Sequence, residues 1–334
     1  MSTIAITGAT GLVGANVAVA ALEQGHTVRC TRRASSRTQH LAGLPIEWRE
    51  ADLGDPGALR EAFRGADAVI HCAAKAAVIP SVTPELVAAN VTGTRHVMDA
   101  VTEAGVGRLV HCSSTVAVGI ADHEGPCDEG SPWNLAAHGL DDGYAITKHQ
   151  AEKVVLDAAR AGDIDAVVVN PTFMFGPYDR RPSSGQMILE VASGKAVAAT
   201  KGVNDFVDVR DVAQGMLLAL EKGRSGERYI LSGQGHSYRE IFTLIAGVVG
   251  RRPPRFEVGR RLLAPVGWVG DLMERATGRE QAITTMTLRW GACERYRFTS
   301  AKAERELGYR ARPVEEGVRA AWDWFQAQGM APSR

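Results

Sequence analysis

The stretch Thr7-Gly8-Ala9-Thr10-Gly11-Leu12-Val13-Gly14 lies directly after the apolar run Ile4-Ala5-Ile6 and directly before a helical pattern that ends at Gln24-Gly25. A chain turning from strand into helix around a pyrophosphate needs positive φ and room for backbone to approach oxygen, and glycine supplies both. The N–H groups and dipole at the helix start then form an anion site. With 36 glycines in 334 residues, roughly 0.4 such glycine triplets arise by chance, so the triplet alone says little. Its place between a strand and a helix, so near the N-terminus, reads as a dinucleotide-binding turn.

Outward from this turn, apolar runs of strand length recur at 3–6, 27–31, 46–49, 68–72, 108–112 and 165–169. Helical patterns over 13–24, 57–64, 85–104 and 144–161 lie between most of them, the alternation of a parallel sheet covered on both faces. Gly25 and Gly105 stand where helices end, and Asp55-Pro56 pairs an N-cap with proline at the first helical position. The expected fold is therefore α/β, a Rossmann-type doubly wound parallel sheet with a smaller, discontinuous C-terminal substrate domain. The expected nucleotide-binding domain is 1–170, with 203–223 and about 298–328 returning to it. Segments 171–202 and 224–297 are expected to form the substrate-binding region. The apolar segment 262–273 is much shorter than the ~20 residues that span a bilayer and reads as a core or pocket-lining helix, with surface membrane attachment as the alternative.

Composition narrows the function classes. Hydrophobic residues make up 45% of the chain, enough for a large core, and 38 basic residues balance 38 acidic ones. That balance offers nothing to attract nucleic acid or an anionic membrane over the chain as a whole. No secretion-signal pattern precedes the glycine turn, so a cytoplasmic location is expected. Five cysteines (Cys30, Cys72, Cys112, Cys127 and Cys293) show no CxxC spacing and suggest neither a disulfide framework nor zinc; the first three lie in apolar runs and read as core residues. No histidine has a partner at metal-ligand spacing.

Two further patterns carry chemistry. Tyr144 and Lys148 are four residues apart at the start of a helical pattern, which puts phenol and ammonium on one face. A nearby positive charge is expected to lower the tyrosine pKa toward use as a proton donor or acceptor near neutrality. Leu109-Val110-His111-Cys112-Ser113-Ser114 ends a strand pattern with two hydroxyls, at the carboxyl edge where ligands of parallel sheets gather.

With these residues in view the chain resembles an extended short-chain dehydrogenase/reductase of the NAD-dependent epimerase/dehydratase family. Residues 7–14 match TGxxGxxG, Tyr144 and Lys148 match YxxxK, and Ser113-Ser114 match the strand-end serine motif. His71-Cys72-Ala73-Ala74 resembles HxAA, and Asn90-Val91-Thr92-Gly93-Thr94 matches NxxGT. The segments Asn170-Pro171-Thr172 to Gly176-Pro177, Phe206 to Ala213 and Ser300 to Tyr309 follow the same pattern, so the match runs from residue 3 to about 326. Within the family the likeness is greatest to the dihydroflavonol 4-reductase-like branch, which includes hopanoid-associated sugar epimerases.

The resemblance implies a role for each matching residue. Tyr144 exchanges a proton with the substrate oxygen, Ser114 binds that oxygen with Thr115 assisting, and Lys148 binds the nicotinamide ribose. Asn90 orders the helix and cofactor. Thr7, Gly8, Thr10, Gly11, Leu12, Val13 and Gly14 hold the pyrophosphate. Asp52 and Leu53 meet the adenine, with a turn cap as the plainer reading of Asp52. Cys72, Ala73, Ala74 and Lys75 border the cofactor, and Pro171 and Thr172 meet its carboxamide. Phe173, Met174 and Tyr178 are expected to line the substrate pocket.

One departure is informative. Where an NAD enzyme usually carries an acidic residue after its second strand, this chain has Arg32, followed by Arg33 and Arg37. Guanidinium groups suit a 2'-phosphate, so NADP(H) is favoured, with NAD(H) as the alternative. The reading that follows is an NADP(H)-dependent oxidoreductase moving hydride between nicotinamide and a carbonyl or alcohol carbon of a small organic substrate. A sugar-nucleotide epimerase/dehydratase and a non-catalytic NADP-sensing protein are the rival readings. A homodimer through helices 85–104 and 144–161 is a further implication of the resemblance.

Overall fold

The computed structural model describes residues 1–122, 124–277, 281 and 283–332. Its first half alternates as the sequence predicts. The order is β1 (Thr3–Thr7), α1 (Leu12–Glu23), β2 (Thr27–Arg32), β3 (Ile46–Glu50), α2 (Pro56–Phe63), β4 (Ala68–His71), α3 (Pro84–Leu86), a π-helical turn over Val87–Thr92, α4 (Gly93–Glu103), β5 (Arg108–Cys112), α5 (Gly143–Ala161) and β6 (Ala166–Pro171). The second half continues with β7 (Phe173–Phe175), α6 (Gln186–Ala192), β8 (Ala198–Thr200), β9 (Val203–Asp208), α7 (Val209–Lys222), β10 (Arg228–Leu231), β11 (Gln234–Ser237), α8 (Tyr238–Val249), β12 (Phe256–Val258), α9 (Arg260–Thr277), α10 (Thr285–Gly291), α11 (Ala301–Leu307) and α12 (Val314–Ala327).

Seven strands pair in parallel in the order β10-β6-β5-β4-β1-β2-β3. Successive strand side chains point to opposite faces, so both faces need cover. Ile4, Ile6, Val28 and Val110 pack with Val17 of α1, Met216 of α7 and Leu307 of α11. Ala5, Val69, Leu109 and Val168 pack on the other face with Leu59 and Phe63 of α2, Val97 of α4 and Val155 of α5. Local chemistry sets the helix ends: Asp55 accepts the Ala58 N–H ahead of Pro56, and α5 stops at Gly162 in the left-handed region at φ +84. None of the exposed large apolar side chains lies on α4 or α5, the helices expected to pair two copies.

A second layer rests on the carboxyl side of this sheet. There β11, β9 and β7 form a three-stranded sheet, β8 pairs with β12, and α6, α8 and α12 share a core built on Phe175, Phe206, Ile241 and Phe325. Three expectations are corrected. The segment 203–223 divides, because β9 joins the small sheet while α7 covers the large one. In the same way β10, inside the stretch 224–297, is an edge strand of the large sheet. The C-terminal segment also divides: α11 packs on the nucleotide-binding half and α12 on the small region. In each case apolar periodicity reports that a face is buried, and long-range packing decides against what.

The helix expected over 262–273 is present as α9, but among its described side chains the large apolar ones are exposed rather than in the core. Val266, Trp268, Val269, Leu272 and Met273 are about half exposed or more, Trp268 at 65%. Among the described residues no helix is long and apolar enough to cross a membrane.

Candidate active site

The glycine turn has the shape its sequence demands. Gly8 takes φ +74, and a Cβ there would sit 2.6 Å from the Ala73 nitrogen. A Cβ on Gly14 would meet the Gly8 carbonyl oxygen at 2.4 Å, so this glycine lets α1 close onto the turn. Gly11 differs, since a Cβ there meets only the Gly8 oxygen, at an ordinary 3.4 Å. The space beside it is open, and Gly11 is the N-cap of α1 with no side-chain cap, leaving the first N–H groups at Leu12 and Val13 free for an anion.

Around this turn the other cofactor candidates line the carboxyl edge. Arg32 ends β2, with Arg33 and Arg37 exposed beyond it, and among the described residues none of the three forms an ion pair. Asp52 accepts the Gly54 N–H at 2.8 Å, the plainer turn role, while the Leu53 carbonyl meets His96 Nδ1 at 2.7 Å. His40 is close to this turn, and burial, with the nearby Arg180 guanidinium, lowers its pKa. Cys72 follows β4, where its thiol hydrogen-bonds to that of Cys112 on the neighbouring strand; this contact and burial push the Cys72 thiol up. All five cysteines are free thiols. Pro171 ends β6, and Thr172 beside it is 4% exposed with its hydroxyl unpartnered. Such an orphan is the kind of group a bound carboxamide satisfies.

Tyr144 and Lys148 start α5, whose N-cap Asp142 accepts the Ala145 N–H and the Trp290 indole N–H. The Lys148 ammonium is 2% exposed and donates to the Cys112 carbonyl at 2.8 Å, its only hydrogen-bond partner among the described residues. An ammonium has three donors, so two are left for ligand hydroxyls. Burial lowers the Lys148 pKa. The Ser114 hydroxyl beside the Tyr144 phenol favours its ionised form, but burial first, and the neighbouring Cys112 with it, push the phenol up. The expected depression by Lys148 is thus corrected: the ammonium is spent on a carbonyl, and desolvation dominates.

Asn90 is a positioning residue. Its carboxamide accepts the Lys75 N–H at 2.8 Å and donates to the Lys75 carbonyl and the Thr147 hydroxyl, tying the loop of Ala73 and Ala74 to the tyrosine helix. Thr115 is buried and its hydroxyl engages the Pro171 carbonyl and Tyr296. The three proposed pocket residues have other partners: Phe173 packs on Phe175 and Phe206, Met174 on the main core, and Tyr178, at φ +70, on Trp324. None of those partners is Ser114, Tyr144 or Lys148. An aromatic near Tyr144 is Tyr296, a buried phenol that donates to the Thr115 hydroxyl beside Ser114.

Two networks escape sequence reasoning. Thr7 Oγ1 meets His71 Nδ1 at 2.7 Å, and His71 Nε2 meets Thr94 Oγ1 at 3.2 Å. Thr94 donates onward to the Asn90 carbonyl, so its oxygen accepts from His71 Nε2–H, and His71 Nδ1 accepts from Thr7. Burial holds the His71 pKa at about 3, which keeps the imidazole neutral. Behind Ser114, the Asn170 amide donates to the Ser114 carbonyl and to Glu152, and Glu152 also pairs with Arg228 at 2.9 Å. Thr7 and His71 were visible as motif letters, and their pairing follows from register across β1 and β4.

A cradle shaped by glycines, a buried ammonium with spare donors and a phenol beside a serine fit a nicotinamide dinucleotide. The model of the NAD-dependent epimerase/dehydratase family matches residues 4–232. The chain belongs to that family. It is an NAD(P)-dependent oxidoreductase of the extended short-chain dehydrogenase/reductase type. It is 35% identical to sterol demethylase protein B of Methylococcus capsulatus, over 98% of this chain and 99% of that one. To cinnamoyl-CoA reductase 2 of Arabidopsis thaliana it is 30% identical, over 98% and 94%. Its fold matches the crystal structure of a nucleoside-diphosphate-sugar epimerase from Pseudomonas aeruginosa with TM-score 0.82 and 26% identity, covering 99% of each chain.

Proposed function

We propose that this member of the family is an NADP(H)-dependent reductase of a carbonyl group on a small, largely apolar substrate. The observation that carries the reading is the Tyr144 phenol, beside Ser114 and on the same helix as the buried Lys148 ammonium, which burial pushes toward its protonated form. A phenol held neutral is a proton donor, the role that carbonyl reduction requires.

A bound reduced nicotinamide supplies the hydride. Ser114 and Tyr144 direct their hydroxyls at the carbonyl oxygen, fixing the substrate and stabilising the charge that develops there. Tyr144 delivers its proton to that oxygen as the alkoxide forms. Lys148 binds the ribose hydroxyls with its two spare donors and holds the cofactor in register with α5. Arg32, Arg33 and Arg37, free of internal ion pairs among the described residues, engage the 2'-phosphate. The buried phenol of Tyr296 supports a partly apolar pocket. A substrate of the sterol or cinnamoyl kind, suggested by the names of the relatives, accords with it.

The direct test compares NADPH with NADH across a panel of ketones and aldehydes. NADPH is expected to give at least tenfold higher kcat/KM, and Arg32→Asp to reverse that order. Equal use of both cofactors by the wild type would overturn the NADP(H) preference, and turnover of a sugar nucleotide with no net change in cofactor absorbance would replace the reductase with an epimerase.

The raised phenol also sets a pH profile. With a protonated donor across neutrality, carbonyl reduction should stay flat from about pH 6 to pH 9. Alcohol oxidation, which needs the phenolate, should rise about tenfold per pH unit over the same interval. A reduction rate that already falls near pH 7 would mean that the phenol is depressed after all.

A further inference from the structure

α9 is amphipathic in an inverted sense. The side that meets the body is built from Gly267, Gly270, Asp271 and Glu274, which recur at helical spacing. A Cβ on Gly267 would lie 2.8 Å from the Thr285 Cα, and one on Gly270 would lie 1.8 Å from the Ile283 carbonyl oxygen, so the helix backbone rests directly on the segment that opens α10. Asp271 accepts the Thr285 N–H at 3.0 Å and its hydroxyl, and Glu274 accepts the Gln281 N–H at 3.2 Å. Both acids are therefore turned inward, and the bulky side chains Val266, Trp268, Val269, Leu272 and Met273 face out. A face of this kind marks an interaction site rather than ordinary surface.

The charge around it says what covers it. Residues 251–280 hold seven arginines against four acidic residues, an excess of three positive charges in a chain whose formal net charge is zero. Arg251, Arg252 and Arg255, in the stretch leading into α9, are exposed and form no ion pair among the described residues, and Phe256 beside them is 67% exposed. A second copy meeting this face across a two-fold axis would bring the basic stretch against itself. An anionic surface meets it with opposite charge while its interior accepts the apolar side chains, the pattern of helices that lie in a lipid interface.

We propose that α9 and the arginine-rich stretch before it dock the protein peripherally on an anionic lipid surface, with Trp268 and Leu272 entering the headgroup boundary. The contact reaches the active site by a short path. α9 packs on α10, whose Trp290 hydrogen-bonds to Asp142, the cap of the helix that bears Tyr144.

The test uses the full chain with extruded vesicles of phosphatidylcholine alone, or of phosphatidylcholine with about 30% phosphatidylglycerol. Cosedimentation should be at least tenfold stronger with the anionic vesicles and should weaken as salt is raised. The double variant Trp268→Ser/Leu272→Ser should lose at least tenfold of that binding while its thermal unfolding and cofactor affinity stay at wild-type values. Equal partitioning onto the two vesicle types, undiminished binding by the variant, or no binding at all would overturn the proposal. A wild-type dimer in sedimentation velocity that the same variant converts to monomer, without vesicle binding, would assign the face to a second copy instead.

Discussion

Tyr144→Phe is expected to lower kcat for carbonyl reduction by about 10³-fold, or about 4 kcal/mol of transition-state stabilisation, while leaving cofactor affinity within about twofold of wild type. The split follows from the geometry. The substitution removes one oxygen, the one beside Ser114, and leaves the Lys148 ammonium on the Cys112 carbonyl with its other donors available. Stopped-flow hydride transfer, with cofactor affinity read from protein fluorescence, separates the two quantities. A variant that retains a tenth of wild-type kcat would show that another group delivers the proton. Tyr296, whose phenol lies nearby and bonds to Thr115, would then be the first candidate.

The second large effect is expected at Gly14. Alanine is the better residue in a helix by about 1 kcal/mol, and Gly14 has ordinary helical backbone inside α1. Gly14→Ala should nevertheless destabilise the protein by about 1–3 kcal/mol, because the added methyl would lie 2.4 Å from the Gly8 carbonyl oxygen and must push the turn off the helix. Cofactor binding should weaken by about 10²-fold or more, since the anion site is made by that turn and the N–H groups at the start of α1 together. Gly11→Ala is the contrasting variant. Its methyl meets protein only at 3.4 Å, so unfolding without cofactor should be near wild type while cofactor affinity falls. Calorimetry with and without NADPH reads both. Equal behaviour of the two variants would sink the distinction between a packing glycine and a ligand-facing one.

Much of this molecule can be read before it is folded. The six apolar runs of the first half coincide with β1 to β6 to within two residues at their ends; inner strands such as β4 and β6 are apolar because both their faces are buried, while the edge strand β3 keeps only Ile46 and Trp48 as apolar signal. The turn at residues 7–14 was equally legible, since the demand for glycine there is local. Harder were segments whose burial is real but whose partner lies far along the chain. The run 203–223 reads as one strand and helix, yet β9 and α7 serve different layers, and β10 returns to the large sheet from within the substrate region. Helix α9 was the clearest failure. Its apolar side chains suggested a buried face, whereas the structure buries Gly267 and Gly270 and leaves Val266, Trp268, Val269, Leu272 and Met273 outside.

At the site the same division holds. Sequence alone determined the order of strands and helices, the cofactor turn and the pairing of Tyr144 with Lys148 on one helix, because each depends on spacing within a few residues. Tertiary structure decided where the protons and charges rest. Lys148 is directed to the carbonyl of a residue 36 positions away, and Thr7 reaches His71 across 64 positions. Whether Tyr144 is held neutral depends on the burial that those distant segments impose. Spacing along a chain can bring two groups to one face, but desolvation is a property of everything packed around them, and only the folded molecule sets it.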